Sequence, residues 1–226
     1  MRLGVHVEGQ TEELFVNELL ASHLYGQGFS QVWARLYGKA RRRGRGTAWP
    51  AVCREIVRHL KEDKTIIATT MADYYGMPQS GSRAWPGRAT AANLPYPQRA
   101  KAVEDALAAD IHLAMGSRFD ERRFIPFVMM HEFEALLFSD CERFAIGIDR
   151  PELASSFQEI RAAFPTPEAI DDSPVTAPSK RIEALVPGYE KPRLGALAAR
   201  AIGLETMRAE CPHFDCWVSR LERRTA

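Results

Sequence analysis

One stretch constrains the fold more than any other: TIIATTMA, residues 65–72, carries no charge until Asp73. It is short, rich in β-branched residues and apolar throughout, which predicts a strand buried on both faces. Its neighbours agree. RLGVHV (2–7) and QVWARLYG (31–38) read as earlier strands, and RFIPFVMM (123–130) as a fourth. Helical spacing lies between them. Thr11 is the expected N-cap of a helix carrying Leu14, Phe15, Leu19 and Leu20 and ending near Gly26. Val52, Ile56, Val57 and Leu60 mark a second helix over residues 49–62, and a third is expected over 98–114. Strand and helix alternate four times, which predicts an α/β fold with a mostly parallel sheet flanked by helices.

HEFEALLFSD (131–140) also looks helical. Beyond it the texture changes: helical patterns alternate with Pro151, Pro165, Pro167, Pro174, Pro178, Pro187 and Pro192, and no strand is evident. The expected organisation is an α/β domain over 1–148 with a helical C-terminal annex, 149–226, packed on it. A long irregular stretch, 74–97, interrupts the first part, and loops of that length are usually functional or mobile.

Composition excludes more than it assigns. Thirty Lys and Arg against 29 Asp and Glu leave the chain near neutral, so net charge does not argue for nucleic acid. No apolar run approaches the ~18–20 residues of a membrane span, and the N-terminus enters a strand directly. Cys53, Cys141, Cys211 and Cys216 are too scattered for a disulfide scaffold, and a reducing cytoplasm is expected. Cys211-Pro-His213-Phe-Asp-Cys216 groups three zinc-type ligands, but no second pair follows. Small buried residues in a terminal helix are the expected reading.

The chemistry-bearing residues lie just past the strand ends. The first strand delivers Glu8, with Glu12 one helical turn on; the third delivers Asp73; the fourth delivers His131, Glu132 and Glu134. In a parallel sheet these share one edge. Crowded carboxylates need protons or a cation, and an all-oxygen donor set selects Mg2+ or Mn2+ over zinc. Glu132 and Glu134 point to different sides of a helix, so one of them is expected to face the site. First-turn placement also explains Glu12, and turn formation explains Asp73. For phosphate binding there are Arg41, Arg42 and Arg43 in the loop KARRRGRG, and Lys180, Arg181 and Lys191 at the starts of two annex helices. Tyr74, Tyr75, Arg83, Trp85 and Arg88 could stack bases or pin their own loop.

VEGQTEELF, TTMADYYGMP, MMHEFEALLFSD, TAPSKRIEALVPGYEKPRLGALAARAIGL and RAECPHFDCWVSRLE together resemble the domain of unknown function 4276 family, over nearly the whole chain. The resemblance implies a Toprim-like fold, similar to the nuclease half of the overcoming-lysogenisation-defect nucleases. It also implies action beside an ATPase in defence against phage or other mobile DNA. By that resemblance Glu8 matches the first-strand glutamate, Glu12 the second, and Asp73 the first aspartate of an Asp-x-Asp motif. Tyr75 stands where the second aspartate is expected, so Glu132 or Glu134 replaces it, or one metal is held. The expected function is metal-dependent phosphodiester cleavage of nucleic acid, with an ATPase partner and a homodimer as further expectations. A non-catalytic module regulating an ATPase, and a phosphatase acting on a small phosphate ester, are the alternatives.

Overall fold

The computed structural model describes residues 1–37, 46–170 and 176–224. Strand β1 (Arg2–Val7) lies between β2 (Gln31–Leu36) and β3 (Ile66–Asp73). β4 (Phe124–Ile125) and β5 (Val128–Met129) both pair with β3, and every pairing in this five-stranded sheet is parallel. Parallel pairing requires crossovers, and helices supply them. α1 (Gln10–Phe15), a π-helical turn (Val16–Leu20) and α2 (Ala21–Gly26) link β1 to β2. α3 (Trp49–Glu62) precedes β3, and α4 (Arg88–Ala91) and α5 (Tyr96–Met115) precede β4.

The two faces of β3 enter different cores, which is why its sequence is uncharged. Ile67 and Met71 join Leu3, Val5, Val7, Phe15 and Leu20. Ile66, Ala68 and Ala72 pack with Val52, Ile56, Leu60, Val103 and Leu107. One cap differs from expectation. Gly9 occupies the N-cap of α1 and Thr11 is buried inside the first turn.

The expected strand over 123–130 is broken at Pro126, which has no N–H to give the ladder. Two threonines of β3 repair the gap. Thr70 Oγ1 donates to Phe127 O (2.9 Å) and accepts from Phe127 N (3.0 Å), and Thr69 Oγ1 donates to Ile125 O. These hydroxyls are fully buried yet satisfied, so their cost is offset.

The C-terminal helices are α6 (Cys141–Gly147), α7 (Ala154–Ala162), α8 (Pro178–Leu185), α9 (Lys191–Ile202), α10 (Leu204–Glu210) and α11 (Pro212–Glu222). Among the described residues no strand follows residue 129 and no helix is long and apolar enough to cross a membrane. These helices share the core of the β1 face. Trp217 stacks on Phe127 with centroids 4.5 Å apart, and its Nε1 donates to Thr69 Oγ1 at 2.9 Å. The Glu168 carboxylate accepts from the amides of His213 (3.0 Å) and Phe214 (2.9 Å), capping α11. His213 Nε2 pairs with Glu104 at 2.9 Å, and all four cysteines are free thiols. The CPHFDC segment is therefore a helix start held by carboxylates.

Trp217→Ala is expected to cost about 3–5 kcal/mol, the usual loss for a large buried aromatic. Denaturant unfolding should still show one transition. A loss below about 1 kcal/mol, or a separate transition for the C-terminal helices, would contradict the shared core.

Candidate metal centre

The chain leaves β1 toward β2 on one side and later enters β3 on the other. Such a reversal opens a crevice beyond the carboxyl ends of the two central strands. Glu8 follows β1 and Asp73 ends β3, so this crevice is where they stand. The register continues the placement: Val7 is level with Met71, and Asp73 with Met129 of β5. Beyond β5 the chain turns at His131, whose φ of 68° is left-handed. That conformation costs a non-glycine residue roughly 1–2 kcal/mol. It directs the chain into a 3-10 helix, Phe133–Ser139. His131 itself is buried and stacks on Tyr96 with centroids 5.7 Å apart.

Glu132, extended at the N-cap of this 3-10 helix, and Glu134, in its first turn, both reach one cation. Lys191 Nζ lies 3.3 Å from Glu134 Oε1 and 3.8 Å from Glu132 Oε1. The expectation that only one would face the site does not hold for their contact with this lysine. Glu132 Oε2 also accepts from the Ser179 amide at 3.0 Å, at the start of α8. Glu12 occupies the third position of α1 and folds back over the N-cap. A side chain on Gly9 would begin 2.8 Å from Glu12 Oε2. Glu8 is accommodated likewise: a side chain on Gly76 would begin 3.2 Å from its Oε1. Neither carboxylate would fit as it does beside alanine.

Electrostatics bind the five carboxylates into one unit. Burial raises the pKa of Glu8, opposed by the Asp73 amide, the Tyr37 hydroxyl and Lys191. Burial raises Glu12 to about 7, with Glu134 and Glu8 adding to it. Burial, then Glu12, Glu8, Glu132 and Glu134, hold Asp73 well above the carboxylate range. Glu134 rises through burial, opposed by Lys191. Burial alone would lower Lys191; Glu134, Glu132 and Asp73 carry it upward instead. Asp73 keeps partial exposure as a residue, but its Oδ1 is sealed from solvent and has no hydrogen-bond partner.

A hard divalent cation fits this edge by donor type and by that orphaned oxygen. As the side chains stand, no three His, Cys, Asp or Glu groups form a ligand set among the described residues. Glu8 and Glu12 would have to turn inward to ligate. Of the basic residues singled out in the sequence, Lys191 reaches the acidic edge. Lys180 pairs with Glu183 at 2.6 Å, and the described contacts of Arg181 are the Thr176 carbonyl and the Phe164 ring. Arg41, Arg42 and Arg43 lie outside the described residues.

The aromatics of the 74–97 stretch mostly hold it down. Arg88 sits 3.7 Å over the buried Tyr74 ring, and Trp85 packs on Trp49 with centroids 5.0 Å apart. Tyr75 is the exposed one. Two tyrosines unmarked by the sequence border the edge. Tyr37, immediately after β2, faces Glu8, Asp73 and Glu12; Tyr189, just before α9, faces Glu134 and Glu132. Strand-end position is the signal that could have found Tyr37.

A family model described as a domain of unknown function (DUF4276) matches residues 7–222. No curated protein and no solved structure matches the chain.

The raised carboxyls set a sign for pH dependence. A carboxyl whose folded pKa is raised stabilises the fold below its unfolded pKa, near 4.5, and loses that contribution as pH rises through the folded value, about 7 for Glu12. Metal-free protein should lose on the order of 2 kcal/mol between pH 5 and 8. Glu12→Gln should flatten the profile. Mg2+ should stabilise more at pH 8 than at pH 5.5, because only ionised carboxylates ligate. Denaturant melts across this range check it; a flat, Mg2+-insensitive profile would be the contrary result.

Proposed function

The chain belongs to the DUF4276 family, and from the geometry of its acidic edge we propose that it is a metal-dependent phosphodiesterase acting on nucleic acid. What supports the reading is that Glu12, Glu8, Glu132 and Glu134 all act electrostatically on Asp73 at the switch point, with the Asp73 Oδ1 buried and unpartnered. Mg2+ or Mn2+ held by Glu8 and Asp73, with Glu12 and Glu132 or Glu134 completing the shell, would supply a Lewis acid and a more acidic water.

The chain's own groups supply the remainder. Glu12, completing the shell, would orient an attacking water beside the ion. Lys191 is 39% exposed, so it can exchange the glutamates for a phosphate oxygen and offset its charge. The Ser179 amide keeps Glu132 in place during that exchange. An ATPase partner, a homodimeric state and a role against mobile DNA extend this proposal on the sequence resemblance alone.

One observation favours a second reading. Lys191 already balances Glu132 and Glu134, and no ready ligand set exists among the described residues. A non-catalytic module would keep that lysine as its permanent counter-ion.

Calorimetry with Mn2+ and Mg2+ separates the two. Wild type should bind, and Glu8→Gln and Asp73→Asn should lose at least about 10-fold in affinity while remaining folded. The proposed phosphodiesterase activity should fall with them. No wild-type binding at millimolar metal would favour the module. Lys191→Met gives a split outcome under the first reading. Metal affinity should rise, because a competing cation is gone, while turnover of a nucleic-acid substrate falls about 100-fold with the loss of a charge-stabilising donor. Unchanged turnover would remove Lys191 from the chemistry.

A further inference from the structure

We propose that the cleft between β4 and the C-terminal end of α11 is an anion site that takes a phosphate group. It lies at the opposite end of the sheet from the acidic edge and depends on no cation there. Arg123 fixes its place: the guanidinium donates to the carbonyls of Leu60, Asp63 and Ile66, at the start of β3. Ile66 and Asp73 are the two ends of that strand, so a strand rise sets them roughly 23 Å apart. β4 ends the sheet on this side. The cleft holds about 340 Å3, and its walls are β4, Glu121 and Arg122 of the 3-10 turn Glu121–Arg123, and Arg220, Arg223 and Arg224. Four arginines from two separate elements thus meet one acidic residue.

The nearby acids are engaged already. Asp120 accepts from the Arg122 fork at 2.8 and 3.0 Å. That bonding, with the charge of Arg224 adding to it, holds the Asp120 carboxyl below its usual range. Glu121 Oε1 lies 3.1 Å from His112 Nδ1. Glu104 accepts from the Val128 amide at 2.9 Å and meets His213 at 2.9 Å, while Arg220 stands 3.9 Å away, beyond hydrogen-bond reach. Among the described residues Arg223 and Arg224 form no ion pair. The Nε of Arg224 is sealed from solvent and has no hydrogen-bond partner there.

Cations at a helix C-terminus balance its free carbonyls, and that accounts for Arg220 and Arg223 at the end of α11. It does not account for a guanidinium N–H shut away from water, nor for Arg122 arriving from another element. Like charges brought together repel, and a charged donor without an acceptor is destabilising. A phosphate group answers both, because its oxygens match the guanidinium fork two at a time. The walls are set in advance. Trp217 holds α11 on Phe127 and Thr69, and Arg123 pins the 3-10 turn to the sheet.

The test is calorimetry of the whole chain with pyrophosphate, in EDTA so that no metal takes part, on wild type, Arg223→Gln, Arg224→Gln and Lys191→Met. Wild type is expected to bind, each arginine variant to lose about 10-fold in affinity, and Lys191→Met to keep wild-type affinity. Thermal melts without pyrophosphate check folding. Arg223 is exposed, so its replacement tests the site even where Arg224→Gln unfolds. Competition by a single-stranded oligonucleotide with or without a 5′-phosphate then names the source. Displacement by both marks a backbone phosphate, by the phosphorylated one alone a terminal phosphate, and by neither a free one. No wild-type binding at millimolar pyrophosphate overturns the inference. Unchanged affinity in the folded arginine variants overturns it too, as does affinity lost in Lys191→Met, which puts the anion at the acidic edge instead.

Discussion

Carboxylates taken out of water at one edge of a sheet are the constraint on which the rest of this structure turns. Each of Glu8, Glu12, Asp73 and Glu134 is pushed upward first by burial and then by its neighbours or against Lys191. In a low-dielectric crevice such repulsion is expensive, so it must be met by protons, by a fixed cation or by a bound one. The fold gathers these groups by an ordinary route. Parallel strands all end on the same side, and the reversal at β1 opens space there. Bare backbone at Gly9 and Gly76 makes room for two carboxylates that a methyl group would displace.

The C-terminal helices close the crevice and answer part of its charge. α9 begins with Lys191 and approaches α1, where a side chain on Gly195 would begin 2.9 Å from Thr11 Cγ2. The start of α8 offers the Ser179 amide to Glu132. Because Trp217 and Phe214 pack on Phe127, these helices cannot leave without exposing the core beneath the sheet. The candidate site is thus built from both parts of the chain: acidic groups from the sheet side, donors from the helical side. Its two described ion pairs, Lys191 with Glu132 and with Glu134, link the two.

What the sequence disclosed follows from how local each signal is. Buried strands declare themselves by uncharged β-branched runs, so β3 and its terminal Asp73 were legible within a residue, as were Glu8 and the helix over 49–62. The break at Pro126 needed a partner strand to interpret: only Thr69 and Thr70 show how the lost ladder bonds are replaced. On an α-helical turn Glu132 and Glu134 diverge. Glu132 is extended at the N-cap after the left-handed His131 and Glu134 sits in the first 3-10 turn, so both reach Lys191. Neither feature leaves a periodic trace in ten residues. The pairing of Lys191 with them spans more than fifty residues, and no spacing rule reaches that far. Arginine and aromatics in the 74–97 stretch suit base stacking and loop anchoring alike, and burial decides for anchoring at Tyr74 and Trp85.

The central claim is that the edge between β1 and β3 takes a hard divalent cation. Anomalous diffraction from crystals grown with Mn2+ would test it most directly. The account predicts a peak about 2.0–2.3 Å from an Asp73 carboxylate oxygen, with Glu8 turned toward it and the Lys191 ammonium moved away from Glu134. A map with no Mn2+ peak between Glu8 and Asp73, and Lys191 still seated on Glu134, would contradict the account.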